Sequence, residues 1–195
     1  ITQCKNEIHN ILQRANIKLT SYLSDIYGVT GMSLLEMFID GEVITEQSLL
    51  PKIHRKVKAT AAELVEAMDG KLSFEDRFLL GQSLEHYRHL VNQIEEITVV
   101  IKQYVLERFE REYNLLIELP GVSAIVACVI LSEIGPNVEA FQSQGNLASW
   151  AGVCPGSYES AGIKKSSHTT QGNKYLKSSL FQAGGIAGRS KDEAF

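Results

Sequence analysis

Residues 73–117 read SFEDRFLLGQSLEHYRHLVNQIEEITVVIKQYVLERFEREYNLLI, and the fold class turns on them. Ser73 and Asp76 form a Ser-x-x-Asp start of the capping-box kind ahead of a long apolar pattern. No proline follows until Pro120. At about 1.5 Å per residue, a helix from Phe74 to Ile117 would extend roughly 65 Å, too far to be buried along its whole length in a small core. Its apolar positions Leu80, Leu84, Tyr87, Val91, Ile94, Ile101 and Val105 are separated by 4, 3, 4, 3, 7 and 4 residues, with Thr98 in the skipped slot. That spacing is a heptad seam. Two uses of it stay open, an antiparallel pairing with the preceding helices and a dimeric coiled coil, and each could hold over a different stretch. His86 and His89 lie at i, i+3 within the run, but no third ligand is spaced nearby, so they read as polar surface rather than a metal site.

Outward from this helix the chain stays helical in pattern. Ile8, Ile11, Leu12 and Ala15 share one face of an amphipathic helix within Ile1–Ile17. Shorter pieces follow, Ser33–Asp40 and Glu46–Leu50, divided by Gly28, Gly31, Gly41 and Pro51. Pro51 leads into a helix through Val57, Ala61, Leu64, Val65 and Met68, with Gly70 as its stop. Beyond Pro120, Ala124–Ile134 reads as a buried helix ended by Gly135-Pro136, Leu147–Ala151 as a short helix carrying Trp150, Gly152–Gly172 as a loop, and Asn173–Ala187 as a helix again. Strand-like alternation is scarce. The expectation is an all-α protein: a helical connector over 1–72, a long coiled-coil-like helix over 73–117, and a small helical domain over 118–195 that contains a helix-hairpin-helix-like element.

Composition narrows the function classes. Of the 195 residues 44% are hydrophobic and 22% charged, which excludes a disordered chain. No apolar run approaches the roughly 20 residues of a membrane span, and Ile1–Asn10 lacks the apolar core of a secretory signal. Cys4, Cys128 and Cys154 have neither metal-ligand spacing nor even number, so reduced, structural thiols and a cytoplasmic setting are expected. The net charge of −4 argues against nucleic acid only until its distribution is read. Up to Glu118 there are 13 Lys/Arg against 18 Asp/Glu, whereas Ser160–Lys191 holds six basic residues and no acidic one. A cationic segment carried by an acidic scaffold fits a polyanion-facing patch.

Two motifs carry candidate chemistry. Leu119-Pro120-Gly121-Val122-Ser123 lies between two expected helices. Its glycine permits a close backbone approach, and the amides that open the next helix are suited to a phosphate, making Gly121, Val122 and Ser123 candidate contacts. Some forty residues on, Tyr158-Glu159-Ser160-Ala161-Gly162 places a hydroxyl among small residues, followed by Lys164, Lys165, Asn173, Lys174 and Lys177. Serine is a weak nucleophile until a base, a metal or a field activates it. Glu159 and His168 are the nearest candidate bases. No metal site is expected within the chain.

The set formed by Leu119-Pro-Gly-Val, Ser132-Glu-Ile-Gly135, Leu147-Ala-Ser-Trp-Ala-Gly-Val-Cys-Pro155, Glu159-Ser-Ala-Gly162 and Gly172-Asn-Lys-Tyr-Leu-Lys177 closely resembles the C-terminal part of transposases of the IS one-ten / IS eleven-eleven insertion-sequence group. The resemblance implies a DNA recombinase in which a RuvC-like acidic domain precedes a serine-bearing domain. The serine, mapping onto Ser160, would attack a DNA phosphodiester and stay linked to the cut end. Lys164, Lys165 and the segment from Gly172 to Lys177 would map onto the family's basic and Gly-Asn-x-Tyr-Leu-Arg positions. His168 stands where a basic residue is usual and Lys177 where Arg is commoner, losing the bidentate fork. The resemblance further implies DNA and a guide RNA as partners, a homo-oligomer joined through the long helix, and a divalent metal, Mg, held by the acidic domain. It makes this chain a piece truncated at both ends and inactive alone. The alternative is a non-catalytic helix-hairpin-helix module that binds nucleic acid and dimerises.

Overall fold

A computed structural model describes residues 1–156, 158–160, 163–166 and 168–189; the side chains of 157–167 are not described. Its helices are α1 (Thr2–Arg14), α2 (Leu19–Tyr22), α3 (Val29–Asp40), α4 (Glu46–Leu49), α5 (Ala61–Ala67), α6 (Phe74–Ile117), α7 (Ala124–Ile134), α8 (Gln144–Ala151) and α9 (Lys174–Ala187). A 3₁₀ turn covers Leu50–Lys52, and two short strands, β1 (Tyr158–Ser160) and β2 (Ile163–Ser166), form the described sheet. The all-α class holds. The chain divides into two compact units, Ile1–Ile94 and Glu95–Phe195, with the boundary inside α6.

The first unit is built on the face of α1 that carries Ile8, Ile11 and Leu12, all buried, against Leu34, Leu35 and Met37 of α3 and Leu80 and Leu84 of α6. Burial of these aliphatic side chains is the dominant stabilising term, each contributing on the order of 1.5–3 kcal/mol. The start of α6 forms as its sequence dictates: the Ser73 hydroxyl accepts from the Asp76 amide at 3.0 Å and donates to the Asp76 carboxylate at 3.1 Å. The first half of the heptad seam is used within the chain, since Leu80 and Leu84 are 0% and 1% exposed and Tyr87 lies against Tyr27 with ring centroids 4.9 Å apart. A dimeric coiled coil cannot also use those positions.

Three expectations need correction here. The helix expected from Pro51 starts only at Ala61, because Thr60 and Glu63 form a reciprocal capping box that fixes Thr60 in extended backbone; residues 53–60 are therefore a loop. The piece expected from Ser33 begins at Val29, four residues earlier. The long helix is not unbroken, since Phe109 has φ −139° and ψ 34°. Its ring packs against the core of the second unit, which comprises Val105, Tyr113, Ala127, Cys128 and Leu131. Three of those residues come from α7; Leu176 and Ala183 of α9 are buried as well. Between Val91 and Val105 the seam is open, with Ile101 46% exposed and neighbouring Ile97, Val100 and Tyr104 exposed as well.

A fourth correction concerns the loop expected over Gly152–Gly172. In β1 and β2, Ser160 pairs with Ile163, Glu159 with Lys164 and Tyr158 with Ser166, the last step passing a bulge. Backbone pairing continues outside the strands. The amide of Gly156 donates to His168 O at 2.8 Å, that of Thr170 to Cys154 O at 2.9 Å, and that of Asn173 to Trp150 O at 3.0 Å. The segment is thus one antiparallel excursion whose two limbs start at the end of α8 and the beginning of α9. Backbone hydrogen bonds that a loop would leave to water are satisfied limb to limb.

Candidate active site and nucleic-acid interface

The turn before α7 forms because Pro120 and Gly121 occupy its central positions; the Val122 amide donates to Leu119 O at 3.0 Å, and Gly121 has φ +81°. Positive φ at the third residue of a turn is the type II geometry that selects glycine. A second constraint acts on the same residue. A Cβ at Gly121 would fall 2.1 Å from the Ala183 carbonyl oxygen and 3.0 Å from the Ala187 amide nitrogen. Close packing of this turn on the α9 backbone therefore accounts for the glycine without a ligand. Val122 packs into the core of the second unit. Ser123 caps α7, its hydroxyl accepting from the Val126 amide at 3.3 Å, which fills one of the orphan donors of the helix start. The amides of Ala124 and Ile125 have no acceptor among the described residues.

Asn173 is occupied on every side. Its Oδ1 accepts from the amides of Tyr175 and Leu176, both at 3.0 Å, capping α9. Its Nδ2 donates to the Glu133 carboxylate near the end of α7, and its own amide holds Trp150. One residue thus joins α7 and α9 through its side chain and α8 through its main-chain amide, at the base of the hairpin. Close by, Gly152 (φ +76°) and Gly172 are in backbone contact: a Cβ on Gly172 would lie 2.3 Å from the Gly152 nitrogen.

The basic residues divide. The Lys177 ammonium donates to Thr170 O at 2.8 Å and is half-buried, fastening the returning limb of the hairpin to α9. Lys174 is exposed, its ammonium 4.9 Å from the Tyr175 ring centre. Lys164 and Lys165 lie on β2, with Lys165 at the bulge. Ser160 ends β1, at the outermost described pair of the ladder. The positions of Ser160, Lys164 and Lys165 are backbone positions, and what their side chains touch lies outside the described residues. The backbone of His168 belongs to the ladder and its side chain is exposed.

Reading the sequence missed Glu133 as the brace of Asn173. The signal was available, since Glu133 sits within the Ser132-Glu-Ile-Gly135 motif, but its partner is forty residues away. His86 and His89 are exposed on α6, and among the described residues no group of three or more His, Cys, Asp or Glu is placed to hold a metal ion. Cys4, Cys128 and Cys154 are free thiols, with Cys128 pushed above the ordinary thiol range by burial. No helix among the described residues is long and apolar enough to cross a membrane.

These features define a protein of the all-α class whose second unit carries, among the described residues, a short serine-ended hairpin between α8 and α9. Residues 113–195, from the last turns of α6 onward, match the model of the transposase IS116/IS110/IS902 family. That match supports a transposase role for the chain. No curated protein and no solved structure was found to match.

Proposed function

We propose that the chain is part of a DNA transposase in which Ser160 is the nucleophile. The observation that carries this reading is the place of Ser160: it closes β1 at the outer end of a hairpin that lies wholly within the transposase-family segment. In the reaction, the Ser160 Oγ loses its proton and forms a bond to a DNA phosphorus. The ester bond from that phosphorus to one deoxyribose oxygen breaks, and the released oxygen takes a proton. The phosphoserine ester preserves the bond energy for rejoining, when a strand hydroxyl attacks and Oγ leaves. Lys164, Lys165 and Lys174 neutralise phosphates of the bound strand, while Lys177 and Asn173 hold the hairpin's base.

A divalent metal would lower the pKa of the attacking hydroxyl or stabilise the departing one. The described residues hold no cluster fit to bind it, so no step above passes through it. On this reading the metal and its acidic ligands, like the guide RNA, come from outside these residues, and the chain alone binds DNA without cutting it. The homo-oligomer forms through the open stretch of α6. A second reading, a non-catalytic helix-hairpin-helix module, draws on the uncapped amides of Ala124 and Ile125 at the start of α7.

The test is a covalent trap. With divalent metal, RNA and DNA supplied to the transposase, a DNA-linked peptide containing Ser160 is expected by mass spectrometry, and Ser160→Ala should remove it while leaving DNA affinity within about twofold. Ser166 and Ser167 are the internal controls. An adduct on either, or full recombination by Ser160→Ala, ends the proposed role.

A further inference from the structure

The first unit carries a cationic surface that the site above does not use. Between Glu46 and Glu63 there is no acidic residue, yet the interval holds Lys52, Arg55, Lys56 and Lys58. The rest of residues 1–94 carries six Lys/Arg against twelve Asp/Glu, so the tract reverses the sign of its surroundings. Lys52 is neutralised by Glu42 at 3.5 Å. Arg55, Lys56 and Lys58 are exposed and pair with no carboxylate among the described residues.

Their backbone is held in place. The His54 amide donates at 2.8 Å to the hydroxyl of Thr30, which is 4% exposed on the first turn of α3. The Val57 amide closes a turn onto His54 O at 2.9 Å, and the Lys56 amide donates to His54 Nδ1 at 3.3 Å. Ile53, Val57 and Ala59 pack inward on the core. Inward apolar residues alternate with outward cations, so ordering the loop costs little further entropy on binding. The loop borders a depression of about 500 Å³ whose wall includes Gly28, Val29, Thr30, Lys56 and Lys58. Helix α3 begins there from Gly28, which offers its first turn no side-chain cap, and the helix's positive end adds to the field of the lysines. Asp25 also lines the depression, its carboxylate accepting the Tyr27 amide at 2.9 Å.

We propose that Arg55, Lys56 and Lys58 form a second DNA contact, binding the phosphate backbone of a duplex. The inference rests on the transposase reading for its choice of DNA. It goes beyond that reading in placing a contact on the first unit, outside the segment that matches the transposase family. A duplex backbone is the ligand these residues fit: the tract carries point charges and a guanidinium but no Phe, Tyr or Trp of its own, and Tyr22 is the one such ring lining the depression, short of the successive stacking platforms that an unpaired strand uses.

The experiment measures the affinity of this chain for a labelled DNA duplex by fluorescence anisotropy across a series of salt concentrations. The triple variant Arg55→Gln, Lys56→Gln, Lys58→Gln should flatten the log–log salt slope by up to about 2.7, at about 0.9 per lost phosphate contact. The variant Lys56→Arg, Lys58→Arg should keep the slope, and far-ultraviolet circular dichroism should show both variants folded. An unchanged slope in the triple variant, with wild-type binding intact, overturns the second contact and leaves the transposase reading standing. Loss of slope with an RNA duplex but not with DNA overturns the assignment to DNA. A wild-type chain that binds neither duplex removes both the contact and the nucleic-acid reading beneath it.

Discussion

Replacing Gly121 with alanine separates a packing role from a ligand role. Two costs follow from the geometry. At φ +81° an alanine is strained by about 1–2 kcal/mol. The new Cβ would also stand 2.1 Å from the Ala183 carbonyl oxygen, a backbone atom of α9 that cannot rotate aside, and overpacking of this kind costs typically about 1–3 kcal/mol. The sum is about 2–5 kcal/mol, a large share of the 5–15 kcal/mol that holds most domains folded. The protein offers a comparison free of overlap, because Gly135 also has positive φ, +79°, and a Cβ there would meet nothing within 4 Å. Gly135→Ala should show backbone strain without any overlap, although of a different kind, because its ψ of −177° is the extended positive-φ region rather than the turn geometry of Gly121. Denaturant unfolding followed by Trp150, the sole tryptophan and part of the same unit, reports both. If Gly121→Ala costs no more than about 1–2 kcal/mol, the strain alone, the turn is not pressed on α9. Lost DNA affinity at full stability would then assign the glycine to a phosphate.

Asn173→Ala should cost about 1–2 kcal/mol by uncapping α9 and should release Glu133 and the hairpin base together; unchanged stability in the same unfolding assay would remove its bracing role. Ile97→Asp with Ile101→Asp should leave the monomer folded, since both side chains are exposed, but abolish a dimer formed through α6. Light scattering that finds the wild type already monomeric would defeat that arrangement. Tyr27 has its pKa raised to about 12, by burial first and then by Tyr87, Asp25 and Cys4. The raised value means that its contribution to stability is complete below pH 10, the unfolded value, and is lost as pH climbs towards 12. Tyr27→Phe should remove that alkaline loss, and an unchanged stability profile between pH 10 and 12 would refute it.

The helices were legible where a local signal existed. Ser73 and Asp76 announced the start of α6, and the apolar stripe of α1 matched its buried face, because capping and amphipathicity are encoded within one or two turns. The late start of α5 was equally local, since Thr60 and Glu63 stand at capping-box spacing, but the apolar pattern through Val57 outweighed it in the reading. The fate of the heptad seam was not readable. Leu80 and Ile101 look alike in sequence, yet one is sealed into a core and the other is exposed, a difference set by which helices return to cover them. The hairpin was hidden for a related reason: its limbs are rich in Gly, Ser and Pro, and its pairing is carried by backbone groups that every residue except proline possesses. Ser160 is singled out as a candidate by its short motif alone, whereas the Glu133–Asn173 brace depends on a fold that brings distant positions together.

The limb-to-limb ladder from Trp150 and Asn173 out to Ser160 and Ile163 works as a ruler. The reach of the serine from the helical body is set by the number of rungs, so evolution can change it only by insertions or deletions matched on both limbs. Adding two residues to each limb would carry the tip outward by about 6.8 Å and preserve the pleat. A single unmatched residue would turn the far part of that limb over, unless it is absorbed as a bulge. The bulge at Lys165, between the Tyr158–Ser166 and Glu159–Lys164 pairs, is such an absorbed residue, and Ser160 keeps Ile163 as its partner.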